Sequence, residues 1–269
     1  MTERDETKDE FAGVLERLRH LPASARARLQ SRFSQALLDE TFEIATPRGP
    51  LAFVLLGRNS AIRAGAVLTK QPGTIEWIDA FEPGSVFWDV GANVGVYALY
   101  AGLRGDTRVV AFEPAAVNYF LLAANCETNR LDGRVDCLLV GLGTGKAVGR
   151  LAVSQFAPAD SFTFRAKADE PIRARQAALV LSMDQLVEEF GVEPPNYIKI
   201  DVPGLTEDII AGGARTLRRP EVRQLHIEMR ERSGSGQRLV AALADLGFTV
   251  GARPAHGGGT TDLTFVRPV

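Results

Sequence analysis

The chain has 269 residues, of which 45% are hydrophobic and 24% charged, and its net charge at pH 7 is -2. This balance is typical of a globular protein and gives no general attraction to nucleic acid or to an anionic membrane. No apolar run approaches the roughly 20 residues of a membrane span, and no secretory signal follows the polar start "MTERDETKDE". The sequence therefore predicts a cytoplasmic protein that binds neither nucleic acid nor membranes, with Cys126 and Cys137 as reduced buried thiols.

Residues 1–70 are predicted to form a helical and hairpin extension ahead of a domain over residues 71–269. Apolar residues at helical spacing predict helix over 11–40, broken at Pro22, and a hairpin then turns at "PRGP". Thr74 is predicted to cap a short helix, "IEWIDAF". Because the first helices must bury their apolar stripes, we expect the extension to cover the cleft of the main domain or to form a homodimer contact.

From residue 86 onward, predicted strands alternate with predicted helices. Ser182 and Gln185 have capping-box spacing ahead of a helix over 183–190, whereas residues 154–177 have no clear period and are predicted to be a long loop and candidate lid. Such alternation predicts an α/β fold with a mainly parallel sheet, closed by an antiparallel C-terminal hairpin. The predicted strands are VFWDV, RVVAF, RVDCLLVGLG, GRLAVS, NYIKIDV, VRQLHIEM, FTVGARP and TDLTFVRP.

A glycine turn follows the first of these strands, in "VFWDVGANVG". Ligands of open α/β sheets bind beyond the carboxyl ends of the strands, where this turn is expected to lie. Gly91 and Gly95 let a ligand approach the backbone closely, and Asn93 tolerates the left-handed conformation that a third glycine would supply.

Charge decides which ligand suits this turn. Asp89 would repel a pyrophosphate but would attract a ligand that carries an ammonium and a sulfonium, such as S-adenosylmethionine (SAM). Glu113 ends the second strand, where an acid can accept hydrogen bonds from ribose hydroxyls. The dinucleotide pattern G-x-G-x-x-G is absent, which together with Asp89 argues against a rival NAD-dependent dehydrogenase.

The segments "FWDVGANVGVYAL", "VVAFEPAAVNYFLL" and "YIKIDVPG" resemble the FkbM family of SAM-dependent methyltransferases over roughly residues 70–250. The resemblance implies a Rossmann-like class I methyltransferase fold with seven strands, and transfer of a methyl group to a hydroxyl of a saccharide or other small metabolite. The family usually has an acid at the position of Pro203 and another near Thr144. The predicted cofactor-binding residues are Asp89, Gly91, Ala92, Asn93, Gly95, Glu113 and Pro114.

Side chains alternate along a strand, so Lys199 and Asp201 are predicted to share one side of their strand, and His226 and Glu228 one side of the next. A hydroxyl nucleophile needs its proton accepted as the new bond forms, which makes these four the candidate catalytic residues. Asp201 is the first choice as base and His226 the second, while Lys199 would keep Asp201 ionised or orient the acceptor.

Other interpretations stay open at this point. His226 also fits a hydrogen-bonded core histidine, and Lys199 with Asp201 fits a structural ion pair. Asp201 and Glu228 could hold Mg²⁺, but no third oxygen ligand is evident, so no metal is predicted. The same scaffold would allow N-methylation, and Pro203 leaves room for a SAM-binding protein without turnover.

Overall fold

The chain falls into two units, residues 1–41 and 42–269. The structure, a computed structural model, describes residues 12–153, 157–164, 172–251 and 261–268. In the first unit, helix α1 covers residues 12–19 and α2 (Ala23–Asp39) follows Pro22. The predicted break at Pro22 is confirmed, whereas Phe11 lies outside the described residues. No residue of α2 is buried, and the division at residue 70 stays a prediction.

A hairpin comes next, formed by β1 (Thr41–Thr46) and β2 (Gly49–Val54), as the sequence predicts. Helix α3 (Arg58–Gly65) was not predicted, because only two of its eight residues are buried and it therefore lacks an apolar stripe. Helix α4 (Pro72–Asp79) begins at a proline.

The predicted capping role of Thr74 is wrong. Gln71 is the N-cap of α4 and Pro72 its first residue, because proline fixes a helical φ and has no N–H that would need a partner. Thr74 therefore lies inside the helix, where it is fully buried and its hydroxyl lies 3.0 Å from Nε2 of His226.

From residue 86, strands and helices alternate as predicted, except over residues 135–181, where four described strands follow one another. The predicted capping box of Ser182 and Gln185 is present at the start of α7. The elements are β3 (Val86–Val90), α5 (Val96–Gly102), β4 (Arg108–Phe112), α6 (Ala116–Thr128), β5 (Val135–Leu138), β6 (Gly141–Leu142), β7 (Ala147–Val153), β8 (Ala174–Leu181), α7 (Met183–Glu188), β9 (Tyr197–Ile200), α8 (Thr206–Ala211), β10 (Gln224–Met229), α9 (Gly234–Asp245), β11 (Thr249–Val250) and β12 (Thr261–Val266).

Seven of the described strands form one sheet in the order β11-β12-β10-β9-β3-β4-β5. The five strands from β10 to β5 are parallel, and β12 runs antiparallel to both β10 and β11. This arrangement confirms the predicted α/β fold with its antiparallel C-terminal pair. Strand order reverses between β3 and β9, so a ligand cleft is expected beyond the carboxyl ends of these two strands.

A second sheet of three strands, in the order β6-β8-β7, departs from the prediction. The predicted strand over 134–143 is divided, since β5 joins the large sheet and β6 the small one. Residues 174–177 belong to β8 and not to a loop, since they pair with β7 from Arg150 to Val153. Three of these four residues are exposed, which explains why the apolar pattern of a strand is missing there.

Among the described residues, no helix is both long and apolar enough to cross a membrane.

Candidate active site

The glycine turn after β3 takes the left-handed backbone that the sequence predicts. Gly91, Asn93 and Gly95 have φ values of 85°, 54° and 91°. A Cβ atom on Gly91 would lie only 2.5 Å from the carbonyl oxygen of Asp201, so no larger residue fits there. The turn thus brings the end of β3 against the end of β9.

Asp89 is the most unusual group of the site. Its side chain is fully buried, and among the described residues no donor reaches either carboxylate oxygen in normal hydrogen-bond geometry, although the backbone N–H of Ala98 favours the charged form. Lys199 is the neighbouring cation, with Nζ 3.8 Å from Oδ1. Burial raises the pKa of Asp89 above its usual range, and the charge of Lys199 opposes that rise. A buried carboxylate without hydrogen bonds is costly unless a ligand supplies them.

Lys199 lies between the carboxylates of Asp89 and Asp201, and the alternation along β9 predicts only that it shares a side with Asp201. Its Nζ is 3.4 Å from Oδ2 of Asp201 and 4.8 Å from the centre of the Tyr97 ring. Burial by itself would lower the pKa of Lys199, but the attraction of Asp201 and Asp89 outweighs burial and raises it. Lys199 therefore stays charged between two acids.

The carboxyl groups of Asp201 and Glu228, at the ends of β9 and β10, interact closely enough for each to shift the pKa of the other. Burial opposes ionisation of Asp201, yet Lys199 and the bond from Glu228 lower its pKa below the usual range. Burial, together with the Asp201 carboxylate, raises the pKa of Glu228 to about 7. At neutral pH the pair thus shares a proton that belongs mainly to Glu228.

His226 is enclosed by other side chains. Its Nε2 and Nδ1 lie 3.0 Å and 2.9 Å from the hydroxyls of Thr74 and Thr264, and its ring stacks on Trp77 at 4.8 Å. Burial lowers the pKa of His226 to about 3. With both ring nitrogens occupied, the histidine joins β10 to α4 and β12, which agrees with a hydrogen-bonded core histidine.

Glu113 lies at the end of β4, next to the glycine turn. Its carboxylate accepts hydrogen bonds from the backbone N–H groups of Asn93, at 2.9 Å, and Ala115, at 2.8 Å. Burial raises the pKa of Glu113 to about 7. Pro114 follows it, and its carbonyl accepts a bond from Gln176 of β8.

Residues 157–164 lie against this corner and belong to the predicted lid. The carbonyl of Asp160 accepts bonds from the side-chain amides of Asn93 and Asn118, at 2.9 Å and 3.0 Å. Nε of Arg63 donates to the carbonyl of Ala159 at 2.6 Å. Arg165, also assigned to the lid, lies outside the described residues.

The cleft leaves about 380 Å³ between atoms, a figure that includes open solvent, and only about 30 Å³ of it can hold the centre of a water-sized sphere. Five predicted site residues line it, and six do not: Asp89, Gly95, Glu113, Pro114, His226 and Glu228. Arg63, Lys70 and Tyr97 also line its walls and were not predicted from the sequence. Tyr97 could have been found from its place two residues after Gly95, whereas nothing near Arg63 or Lys70 indicates a site. The five lining residues that were predicted are Gly91, Ala92, Asn93, Lys199 and Asp201.

Across the described ranges, no group of three or more His, Cys, Asp or Glu residues could hold a metal ion.

The sequence matches the family model described as "Methyltransferase FkbM domain" over residues 89–250. This range contains the glycine turn, Glu113, Lys199, Asp201 and Glu228.

Two characterised relatives have similar sequences. The 31-O-demethyl-FK506 methyltransferase FkbM of Streptomyces tacrolimicus is 28% identical over 193 residues, which cover 62% of this chain and 74% of that protein. The hexuronic acid methyltransferase AglP of Haloferax volcanii is 28% identical over 140 residues, which cover 52% of this chain and 54% of AglP.

Among solved structures, the FkbM methyltransferase of Methylobacillus flagellatus KT is 16% identical, with a TM-score of 0.46. That match covers 86% of this chain and 57% of the other. The chain thus spans little more than half the length of AglP and of this structural neighbour.

Proposed function

The chain belongs to the FkbM family of methyltransferases, and we propose that it transfers a methyl group from SAM to a hydroxyl of a small molecule. The observation that carries the proposal is Asp89, a fully buried carboxylate whose oxygens have no well-formed hydrogen bond from any described residue, beside a left-handed glycine turn. Two relatives are named for methylating a demethylated FK506 and a hexuronic acid, which supports a small hydroxylated acceptor.

The residues at the turn fit SAM. Asp89 would attract the positive charges of the methionine end, and Gly91, Ala92, Asn93 and Gly95 would let that end approach the backbone. Glu113 would accept hydrogen bonds from the ribose, with Pro114 beside it. Bound there, the cofactor supplies a methyl carbon that its sulfonium has already activated for displacement.

Glu113 does not line the cleft, and the segment that holds Ala159 and Asp160 lies against Asn93, whose backbone N–H bonds to Glu113. Because that segment is tied to Asn93, Asn118 and Arg63, we infer that it opens for entry and closes afterwards as a lid. Closure would exclude water from the reacting atoms.

The carboxyl pair at the ends of β9 and β10 is the proposed proton acceptor. Asp201 alone is a weak base, because Lys199 and Glu228 hold its pKa low. Once Glu228 has lost its proton, however, two adjacent carboxylates compete for one proton, and the pair becomes a base poised near pH 7. The acceptor oxygen then forms its bond to the methyl carbon as the carbon–sulfur bond breaks, and the hydroxyl proton passes to the pair.

Lys199 and His226 have supporting roles in this proposal. Lys199 keeps Asp201 ionised and offsets the charge of Asp89. His226 is left out of proton transfer because both of its nitrogens bond to threonine hydroxyls. It positions β10, which carries Glu228.

Calorimetry with SAM, S-adenosylhomocysteine and NAD tests the cofactor. We expect the first two to bind and NAD not to bind. Transfer is tested by mass spectrometry of metabolites from a strain lacking the gene, where one product should lose a methyl group. Binding of NAD without SAM would support the dehydrogenase alternative, and SAM binding without any lost methyl group would support a protein without turnover.

A further inference from the structure

Four neighbouring strands align polar side chains in two rows on one face of the large sheet. The strand register places Asp89, Lys199, His226 and Thr264 side by side in the first row. The second row lies two residues closer to the carboxyl ends of the parallel strands, toward the cleft. It begins at Gly91 and continues with the carboxyl groups of Asp201, Glu228 and Asp262. Glu228 and Asp262 are direct partners in the antiparallel pair of β10 and β12.

The second row carries like charges at neighbouring positions, which is unfavourable in a sheet. Burial and the negative charge of Asp201 raise the pKa of both Glu228 and Asp262. Lys199 lies in the first row, between Asp89 and Asp201. Among the described residues, no Lys, Arg or His forms a salt bridge with Glu228 or Asp262, and Lys70 acts on them only from a greater distance. Within the described ranges, the far end of the row therefore lacks a cation in contact.

Gln71, the N-cap of α4, provides a second and independent observation. Its side-chain N–H donates to Oδ1 of Asp262 at 3.4 Å, so its carboxamide lies against the end of the row. The residue is only 9% exposed, and its Oε1 has no hydrogen-bond partner among the described residues. Among the described residues, an acceptor atom without a partner thus belongs to a side chain that bonds to Asp262, whose strand partner is Glu228.

We propose that Gln71 and Asp262, next to Glu228, form a subsite for the protonated amino group of the methyl acceptor. This inference rests on the proposed methyl transfer and names its substrate class, a hydroxylated compound with a primary amine a few bonds from the methylated hydroxyl. An ammonium brings the missing positive charge and three N–H donors, which suit Oε1 of Gln71 and the two carboxyl groups. A substrate carboxylate at this position would be repelled by three acids, and a neutral substrate hydroxyl would leave their negative charge uncompensated.

The subsite also directs the methyl group to oxygen. An ammonium held by carboxylates keeps its proton and has no lone pair to attack with. The hydroxyl near Asp201 keeps its lone pairs and has a base beside it. Oxygen therefore gains the methyl carbon, and its proton goes to the pair of Asp201 and Glu228.

The test uses the full-length protein and three matched probes: the methyl glycoside of glucosamine, its N-acetyl derivative, and the methyl glycoside of glucuronic acid. Calorimetry on protein saturated with S-adenosylhomocysteine measures binding without turnover. The amine is expected to bind at least about tenfold more tightly than the N-acetyl probe, the difference that one charge-assisted contact produces. In Asp262→Asn and in Gln71→Met, the ratio of the affinity for the amine to that for the N-acetyl probe should fall to about threefold or less. The affinity for S-adenosylhomocysteine should stay unchanged.

Asp245→Asn is the matched control, since it removes one carboxylate from the exposed end of α9, and it should retain the full ratio. Thermal unfolding of each variant identifies any that fail to fold. For an acceptor that is methylated, fragmentation spectra should place the methyl group on oxygen.

The inference is overturned if the N-acetyl or carboxylate probe binds as well as the amine, or if no probe binds. It is also overturned if Asp262→Asn and Gln71→Met fold but keep the wild-type ratio. Failure of the wild-type protein to bind SAM would instead overturn the proposed function, which separates the two results.

Discussion

The two sides of the cleft are built in different ways. On the side of β3 and β4, the site is local: Asp89, the glycine turn and Glu113 lie within 25 consecutive residues, and backbone N–H groups hold Glu113. On the side of β9, β10 and β12, the site depends on register between strands that are far apart in the sequence. Among the described residues, the first side holds a buried acid without a well-formed hydrogen bond, and the second holds several acids near Lys199.

This difference agrees with the proposal that one side binds the cofactor and the other binds the acceptor. A local turn with fixed backbone geometry suits a cofactor whose shape does not vary. Side chains brought together by strand register can be exchanged one at a time, which suits an acceptor that differs between relatives. Substitutions on the two sides should therefore change different measurable quantities.

The largest effect is expected on the acceptor side. Asp201→Asn keeps the shape of the side chain but removes a carboxylate from the proposed base, so turnover should fall by about 10²–10⁴-fold. SAM affinity, measured by calorimetry, should change little because Asp89 and Glu113 are untouched. A near wild-type rate on an identified acceptor would remove Asp201 from the chemistry and leave positioning of the reactants as the explanation.

A side chain added where the two sides of the cleft meet should affect both the cofactor side and the acceptor side. Gly91→Ala places a Cβ atom 2.5 Å from the carbonyl of Asp201 at a φ of +85°, and such strain costs on the order of 1–3 kcal/mol before the clash is added. We expect lower stability and lost SAM binding. Gly204→Ala is the matched control, since its φ is +72° with no atom within 4 Å of the new Cβ. Equal losses in both variants would show that the contact with Asp201 is unimportant.

On the cofactor side, Asp89→Asn should reduce SAM affinity by roughly 1.5–3 kcal/mol, the scale for a lost hydrogen bond to a charged group. The same change removes a buried charge that lacks hydrogen bonds, so unfolding by denaturant should show equal or higher stability without SAM. Lys199 would keep Asp201 as its partner. A variant that lost stability but kept its SAM affinity would make Asp89 a structural residue and contradict the assigned role.

The pH dependence of kcat should also distinguish the two sides, with a smaller effect than the substitutions above. At saturating SAM, kcat should rise with pH up to about 7 and then level off, because burial and Asp201 raise the pKa of Glu228 to about 7 and the pair accepts a proton only after Glu228 ionises. Below pH 7 the rate should fall about tenfold per pH unit. Glu228→Gln should abolish the rise, and Glu113→Gln, on the cofactor side, should retain it.

Stability should follow the opposite trend. A carboxyl group whose pKa is raised by folding stabilises the folded state at low pH, and this stabilisation is lost as pH rises through the folded pKa. Both Glu113 and Glu228 should therefore make the protein less stable above pH 7 than near pH 5, as measured by denaturant unfolding. If kcat and stability rose together with pH, Glu228 would not be the group that controls the rate.

The sequence by itself determined the α/β alternation, the capping box of α7, the glycine turn and the placement of Lys199 beside Asp201. Each depends on residues close together in the chain, where strand alternation, capping geometry or a left-handed φ dictates the outcome. Only the tertiary structure decided that Thr74 bonds to His226 rather than capping α4, that residues 174–177 form a strand, and that Asp262 and Gln71 lie beside Glu228. These features arise from register between distant strands and from the packing of a helix over them, and local patterns carry no information about either.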